Sequence, residues 1–312
     1  MIEGVVRKST GSWYEVWIAN DSLVMARLKG LIRLDYSKDT NPVAVGDVVY
    51  LENDGDTNDW MIVQVKDRKN YIVRASPKHK GARQVIAANL DQCVLIATLD
   101  SPRTSTGFID RFLMAAEAYG VPTIIVFNKQ DLLDPKGQSK QKATRNIYEQ
   151  IGYQTIETST VSGIGLEELK QAMTKKTSLI FGHSGVGKSS LMNAIDPSLN
   201  LRIGGLSRFA NRGMHTTTFA EMFALDNDIK VIDTPGVREF GHHSLAPHEV
   251  SHYFKEMSAL LPHCKFNNCT HTDEPDCAVI EAWHEKLISE ERYKNYLNIY
   301  FEIKTNYKYW EQ

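Results

Sequence analysis

The sequence predicts a multidomain α/β protein with a small β-barrel at its N-terminal end and a mainly helical unit at its C-terminal end. Three observations carry that prediction. Short strands separated by polar turns fill roughly the first 73 residues, buried-strand runs alternate with amphipathic helices through the middle, and beyond about residue 241 the strand pattern stops around a cluster of cysteines. A chain of 312 residues is long enough for two or three such cores.

Composition narrows the field. Charged residues make up 24%, apolar residues 42%, and 36 basic against 38 acidic side chains leave a formal net charge of −2. No global charge marks a nucleic-acid binder, so such a role must rest on local patches. The opening "MIEGVVRKSTGSW" lacks the apolar stretch of a secretion signal, and runs such as residues 93–97 are far shorter than a membrane span. A cytoplasmic protein with no membrane partner is expected.

Residues 1–73 contain "WYEVWI" (13–18), "VMARL" (24–28), "GDVVYLE" (46–52) and "WMIVQV" (60–65), with turn chemistry in "ENDGDTND" between the last two. About five strands in this length suit a barrel of the OB type, and a small SH3-like barrel reads much the same. The segment 66–83 that follows is basic and is expected to be poor in structure. It carries Lys66, Arg68, Lys69, Arg74, Lys78, Lys80 and Arg83 against Asp67, and is either a solvated linker or a strip of phosphate contacts.

Residues 74–241 read as an α/β sheet. The runs "QCVLIATLD", "PTIIVFNKQD", "YQTIETS", "TSLIFGHSG" and "DIKVIDTPG" each end in polar or glycine-rich residues, which places a ligand site along one sheet edge. In "FGHSGVGKSSL" the residues Gly182, His183, Ser184, Gly185, Val186, Gly187, Lys188, Ser189 and Ser190 form a phosphate-cradling loop between a strand and a helix. Lys188 is placed for the β- and γ-phosphates and Ser189 for Mg²⁺. In "DTPG" Asp233 would hold Mg²⁺ through water, and Gly236 offers an N–H to the γ-phosphate. In "NKQD" the Asp131 carboxylate can accept both N1–H and the 2-amino group of guanine. A site built on those bonds rejects adenine by about 10⁴-fold. Asn128 and Lys129 brace the neighbouring loops and cover the base, and the loop after residue 158, led by Ser159 and Thr160, resembles the loop whose backbone contacts the guanine carbonyl.

The base-reading tetrad precedes the phosphate loop by about fifty residues, the reverse of the usual order. A binding site is defined in space, so a cyclic shift of chain order preserves it where the old termini lay close together. The middle of the chain is therefore expected to be a circularly permuted P-loop GTPase domain.

Between phosphate loop and "DTPG" lies "ANRGMHTTTFAEMF" (210–223), positioned as a switch, with Thr217 or Thr216 as a further Mg²⁺ ligand. Many GTPases orient the attacking water with a glutamine after the closing glycine. Here that residue is Val237, which cannot hydrogen-bond through its side chain, so His215 is the nearest candidate, unless it is merely a loop residue. The catalytic candidates are thus His215, Lys188 and Thr217.

In residues 242–312, Cys264, Cys269, His271 and Cys277 supply three thiolates and an imidazole, the donor set of a closed tetrahedral zinc site with a structural role, one ion per chain. His242, His243, His248 and His252 have no thiol among them and read as surface or helix residues. Tyr293, Tyr296 and Tyr300 recur at helical spacing and read as packing, and Cys93 as a core residue.

Together these segments resemble the ribosome small-subunit-dependent GTPase A family (RsgA, also called YjeQ or YloQ). The resemblance rests on the barrel, "QVIAANLDQ", "NKQD", "GHSGVGKSSL", "RGMHTTT", "DTPGVREF" and the cysteine cluster, and covers almost the whole chain. It implies an OB-fold barrel, a permuted GTPase, a zinc domain and a monomer that binds the small (30S) ribosomal subunit and its 16S rRNA during late maturation. It also implies a role for His215 in hydrolysis. Met214 stands where family members often have arginine, so one RNA or phosphate contact is expected to be missing. A non-catalytic RNA-binding scaffold locked by nucleotide is the alternative, and Asp131 argues against an ATP-dependent enzyme.

Overall fold

A computed structural model describes residues 1–19, 22–30, 42–54, 59–75, 83–199, 201, 220–233 and 245–307. Strands β1 (Ile2–Ser9), β2 (Tyr14–Ile18), β3 (Ser22–Leu28), β4 (Val48–Asp54) and β5 (Asp59–Val65) pair in the order β1-β2-β3-β5-β4, and β4 returns to β1 to close a barrel. Every pairing is antiparallel except β3 with β5. Alternate residues point inward, and Val6, Val16, Ala26, Val49, Leu51 and Ile62 are completely buried there. The five-stranded OB expectation holds, and β1 is the strand whose pattern supplies the fifth member.

The segment after β5 departs from expectation. Strand β6 (Tyr71–Ala75) lies inside the stretch expected to be structure-poor and forms a hairpin with β7 (Arg83–Ala88). Burial of Ile72, Ile86 and Ala87 in the central core supplies the driving force. Three of the basic residues are also committed. Lys66 pairs with Glu3, Arg68 with the buried Asp47, and Lys69 with Asp91. This part of the strip is held by protein carboxylates.

Strands β8 (Gln92–Ala97), β9 (Thr123–Asn128), β10 (Gln154–Thr158), β11 (Thr177–Phe181), β12 (Glu221–Leu225) and β13 (Ile229–Asp233) form the central sheet in the order β10-β9-β8-β11-β13-β12. The first five run parallel and β12 is antiparallel to β13. Both faces are covered, as continuous apolar runs such as β8 require, where every residue is buried. Helices α1 (Thr106–Ala118) and α2 (Pro135–Ile151) pack on one core cluster, α3 (Leu166–Met173) and α4 (Lys188–Ile195) on the other. Ser105 caps α1, Asp134 caps α2 ahead of Pro135, and Gly152 ends α2 in the left-handed conformation. The chain winds outward from β8 through β9 to β10 and then returns to β11 beside β8. That reversal opens a crevice at the carboxyl ends of the strands.

Barrel and central sheet are continuous, because Lys8 of β1 pairs with Glu221 of β12. The C-terminal region contributes α5 (Lys255–Ser258), α6 (Ala278–His284) and α7 (Glu290–Tyr307), and no strand among the described residues. Its core of Val250, Phe254, Met257, Val279, Tyr293 and Tyr296 also takes in Met114 of α1. No described helix is long and apolar enough to cross a membrane.

Candidate nucleotide site and metal centre

The crevice collects segments that lie far apart in sequence. Asn128 ends β9 and is 3% exposed, so both ends of its amide need partners. Its Nδ2 donates to the Val186 carbonyl at 2.8 Å, and its Oδ1 accepts from the Thr158 hydroxyl at 3.0 Å. One side chain thus ties the tetrad to the phosphate loop and to the end of β10. Gly187 makes the approach feasible: its φ is +97°, and a Cβ there would lie 2.4 Å from Asn128 Nδ2. Gly182 is similarly constrained, since a Cβ would meet the Ile96 carbonyl oxygen at 2.3 Å.

Lys129 adopts a left-handed backbone, and its Nζ donates to the Ser101 carbonyl at 2.5 Å. Asp131 is exposed at the crevice mouth, where its Oδ1 accepts from the Ser159 hydroxyl at 2.5 Å. Ser159 is fully buried, and its oxygen also accepts from the amides of Val161 and Ser162 at 3.2 and 3.1 Å. This turn fixes the loop read from sequence as the partner of the base. Thr160 is exposed beside it.

The phosphate loop curls in front of α4. Val186 is buried, Ser184 and Gly185 are exposed, and Ser189 and Ser190 lie half-buried in the first turn of α4. Lys188 turns back into the loop, donating to the carbonyls of Gly182 at 2.8 Å and His183 at 3.0 Å. Burial holds its ammonium below the usual lysine range, and the nearby Asp233 carboxylate partly offsets that effect. Burial and then the Lys188 charge also lower the His183 pKa, and the imidazole rests on Phe108 of α1 with ring centroids 3.8 Å apart. Lys188, Ser189 and Asp233 line one cleft with Phe223 and Val231. An ammonium and two oxygen donors, one of them a carboxylate, fit a phosphate with Mg²⁺. His215, Thr216, Thr217 and Gly236 lie outside the described residues, as do Met214, Val237, His242 and His243.

The four sequence-predicted metal ligands converge. One donor atom from each of Cys264, Cys269, His271 and Cys277 lies within 4.8 Å of the others. Individual separations are 3.3 Å for His271 Nδ1 to Cys277 Sγ, 3.7 Å for Cys264 Sγ to His271 Nδ1, and 4.0 Å between the sulfurs of Cys264 and Cys277. Tetrahedral Zn–S bonds put donor atoms about 3.8 Å apart, so the residues fit a closed metal site. Burial raises the Cys277 thiol and pushes that of Cys269 up to about 12. A bound cation would offset that burial and hold the sulfurs as thiolates. Tyr293 and Tyr296 donate to the carbonyls of His271 and Thr270 at 2.8 and 2.7 Å, so the aromatic face of α7 both packs and braces the metal loop. Cys93 is buried in the core, as its surroundings in the sequence indicate.

Two ion pairs had no legible sequence signal, because their partners lie some two hundred residues apart. Arg292 of α7 reaches Asp110 of α1 at 2.7 Å, and Arg7 reaches Glu221 at 2.7 Å; Arg292 also pairs with Glu256 at 2.6 Å.

Comparison with known proteins agrees with this architecture. The model of the RsgA N-terminal domain matches residues 3–61, and that of the RsgA GTPase matches residues 65–243. The small ribosomal subunit biogenesis GTPase RsgA of Phocaeicola vulgatus is 46% identical over 300 residues, covering 96% of each chain. The crystal structure of YjeQ from Thermotoga maritima superposes with a TM-score of 0.80 at 36% identity, covering 97% of this chain and 98% of that one. YloQ, a circularly permuted GTPase, superposes with a TM-score of 0.75 at 28% identity over 98% and 96% of the two chains. With its closed barrel, its reordered central sheet and its Cys/His cluster, the chain belongs to the RsgA GTPase family.

Proposed function

We propose that this protein binds guanine nucleotides in the crevice of its central sheet and hydrolyses GTP to GDP and phosphate as a biogenesis factor of the small ribosomal subunit. The observation that supports this most is the Asn128 amide, which joins the base-reading, phosphate and Ser159 segments into one pocket despite their shuffled order. In that pocket Asp131 and the backbone of the Ser159–Thr160 loop read guanine, and Asn128 and Lys129 hold the loop and cover the base. The segment Gly182, His183, Ser184, Gly185, Val186, Gly187, Lys188, Ser189 and Ser190 wraps the phosphates. Lys188 exchanges its two carbonyl partners for phosphate oxygens, a stronger, charge-assisted pairing.

Ser189 and Asp233, with Thr216 or Thr217, would hold Mg²⁺, and Gly236 would meet the γ-phosphate. Bound magnesium would supply neutralisation of the phosphate charge. His215 orients the attacking water in place of the usual glutamine. With that residue on a switch segment, intrinsic turnover is about 10⁻⁴ to 10⁻² s⁻¹, and docking on the subunit accelerates it by ordering the switch. The cysteine cluster takes one structural Zn²⁺. The units are residues 1–73, 74–241 and 242–312. They act as a monomer in the cytoplasm, late in assembly, on a 30S particle whose 16S rRNA the barrel touches.

The test is phosphate release from GTP with and without purified small subunits, with ATP as control. Subunit-stimulated release specific to GTP is expected. Nucleotide binding with no release in either condition would favour a scaffold locked by nucleotide.

A further inference from the structure

The barrel and the phosphate site share a row of the sheet. Lys8 of β1 pairs with Glu221 of β12, and Glu221 pairs with Asp233 at the end of β13. Side chains directly opposite one another in an antiparallel pair have Cβ atoms about 5 Å apart, and like charges so placed repel. Glu221 and Asp233 are two carboxylates in that relationship. The barrel supplies the counter-charge. A register shift between Val6 and Lys8 marks a bulge in β1, a device that re-aims side chains. Through it the consecutive residues Arg7 and Lys8 both reach Glu221, at 2.7 and 3.0 Å.

Arg7 also spans the junction. Its second guanidinium nitrogen lies 2.5 Å from Glu15 of β2. Its guanidinium carbon sits 5.7 Å from the Trp17 ring centroid of the barrel and 5.8 Å from that of Phe223 on β12. Phe223 in turn lines the cleft with Lys188, Ser189 and Asp233.

We infer that Arg7 and Lys8 are positioning residues for the magnesium side of the nucleotide site. They neutralise Glu221, so that Asp233 faces the cleft without a competing carboxylate beside it. The inference rests on the nucleotide-site reading above. It makes the barrel, through one bulge, a determinant of Mg²⁺ affinity in another unit of the fold.

The experiment is Mg²⁺ titration of fluorescent GDP-analogue binding to the full chain. It compares wild type, Arg7→Gln, Lys8→Gln and Arg7→Gln/Glu221→Gln, with melting temperature measured on each. Both single variants are expected to raise the Mg²⁺ concentration for half-maximal effect about three- to tenfold, the size of one partly screened charged contact. Affinity in EDTA should be unchanged. Removing Glu221's charge in the double variant should restore the wild-type value, since the competing carboxylate is gone. Folded single variants with an unchanged or lower Mg²⁺ requirement would overturn the inference, because lost positive charge alone favours cation binding. So would a double variant no better than Arg7→Gln. A wild-type protein that binds no guanine nucleotide would instead refute the site reading.

Discussion

Arg292 and Asp110, both almost fully buried, form an ion pair of 2.7 Å that fastens the last helix to α1. The Asp110 carboxylate also accepts from Tyr148 at 2.8 Å and Asn295 at 2.6 Å, and Arg292 makes two further bonds to Glu256. Burial alone would lower the Arg292 pKa, but Asp110 and Glu256 more than offset it. The same helix α1 carries Phe108 against His183, so the C-terminal unit braces the phosphate loop through one intervening helix.

Arg292→Ala should therefore cost about 3–5 kcal/mol, because it strands the buried Asp110 carboxylate and the partly buried Glu256. Replacing the charge on both sides, as in Arg292→Met/Asp110→Asn, should cost less than the single change. Denaturant melts of the two variants compare these directly.

Asn128→Ala leaves the Val186 carbonyl and the Thr158 hydroxyl without their partner. Two lost buried bonds should weaken GTP binding about ten- to hundredfold. Asp131→Asn should instead shift preference toward xanthosine nucleotides, read by competition between GTP and XTP. Unchanged guanine preference in that variant would remove Asp131 from the base-reading role.

Stripping metal, or Cys277→Ser, should loosen the C-terminal unit. The stack of Trp283 on Tyr293, with centroids 4.4 Å apart, lies over the metal loop and gives a near-ultraviolet signal to follow. One zinc per chain by elemental analysis, and a lower melting temperature after chelation, are expected.

Glu274 adds a pH dependence to the same loop. Burial would raise its pKa, but bonds from the Thr270 hydroxyl and amide and from the Thr272 amide prevail and pull it down to about 2. A carboxylate depressed in the folded state stabilises above its unfolded pKa, near 4.5, and loses that contribution as pH falls toward 2. The melting-temperature advantage of wild type over Glu274→Gln should be full at pH 6 and shrink below about pH 4.5.

His215→Ala should lower subunit-stimulated turnover by roughly 10²-fold while leaving KM for GTP near wild type. A parallel loss of GTP affinity would show that the residue serves binding.

Local chemistry explains how much was legible beforehand. Strand periods, the glycines at 182 and 187, the Cys/His spacing and the tetrad each encode their role within about fourteen residues, and the order of those segments alone implied the permutation. The Tyr71–Ala75 strand escaped because basic neighbours masked a short apolar alternation that only the central core rewards. Tertiary structure decided the long-range pairings: Asn128 on Val186, Arg292 on Asp110, and Lys8 through Glu221 to Asp233. Sequence spacing carries no record of such partners, because their energy arises only when folding removes the charges and amides from water and leaves each other as their remaining partners.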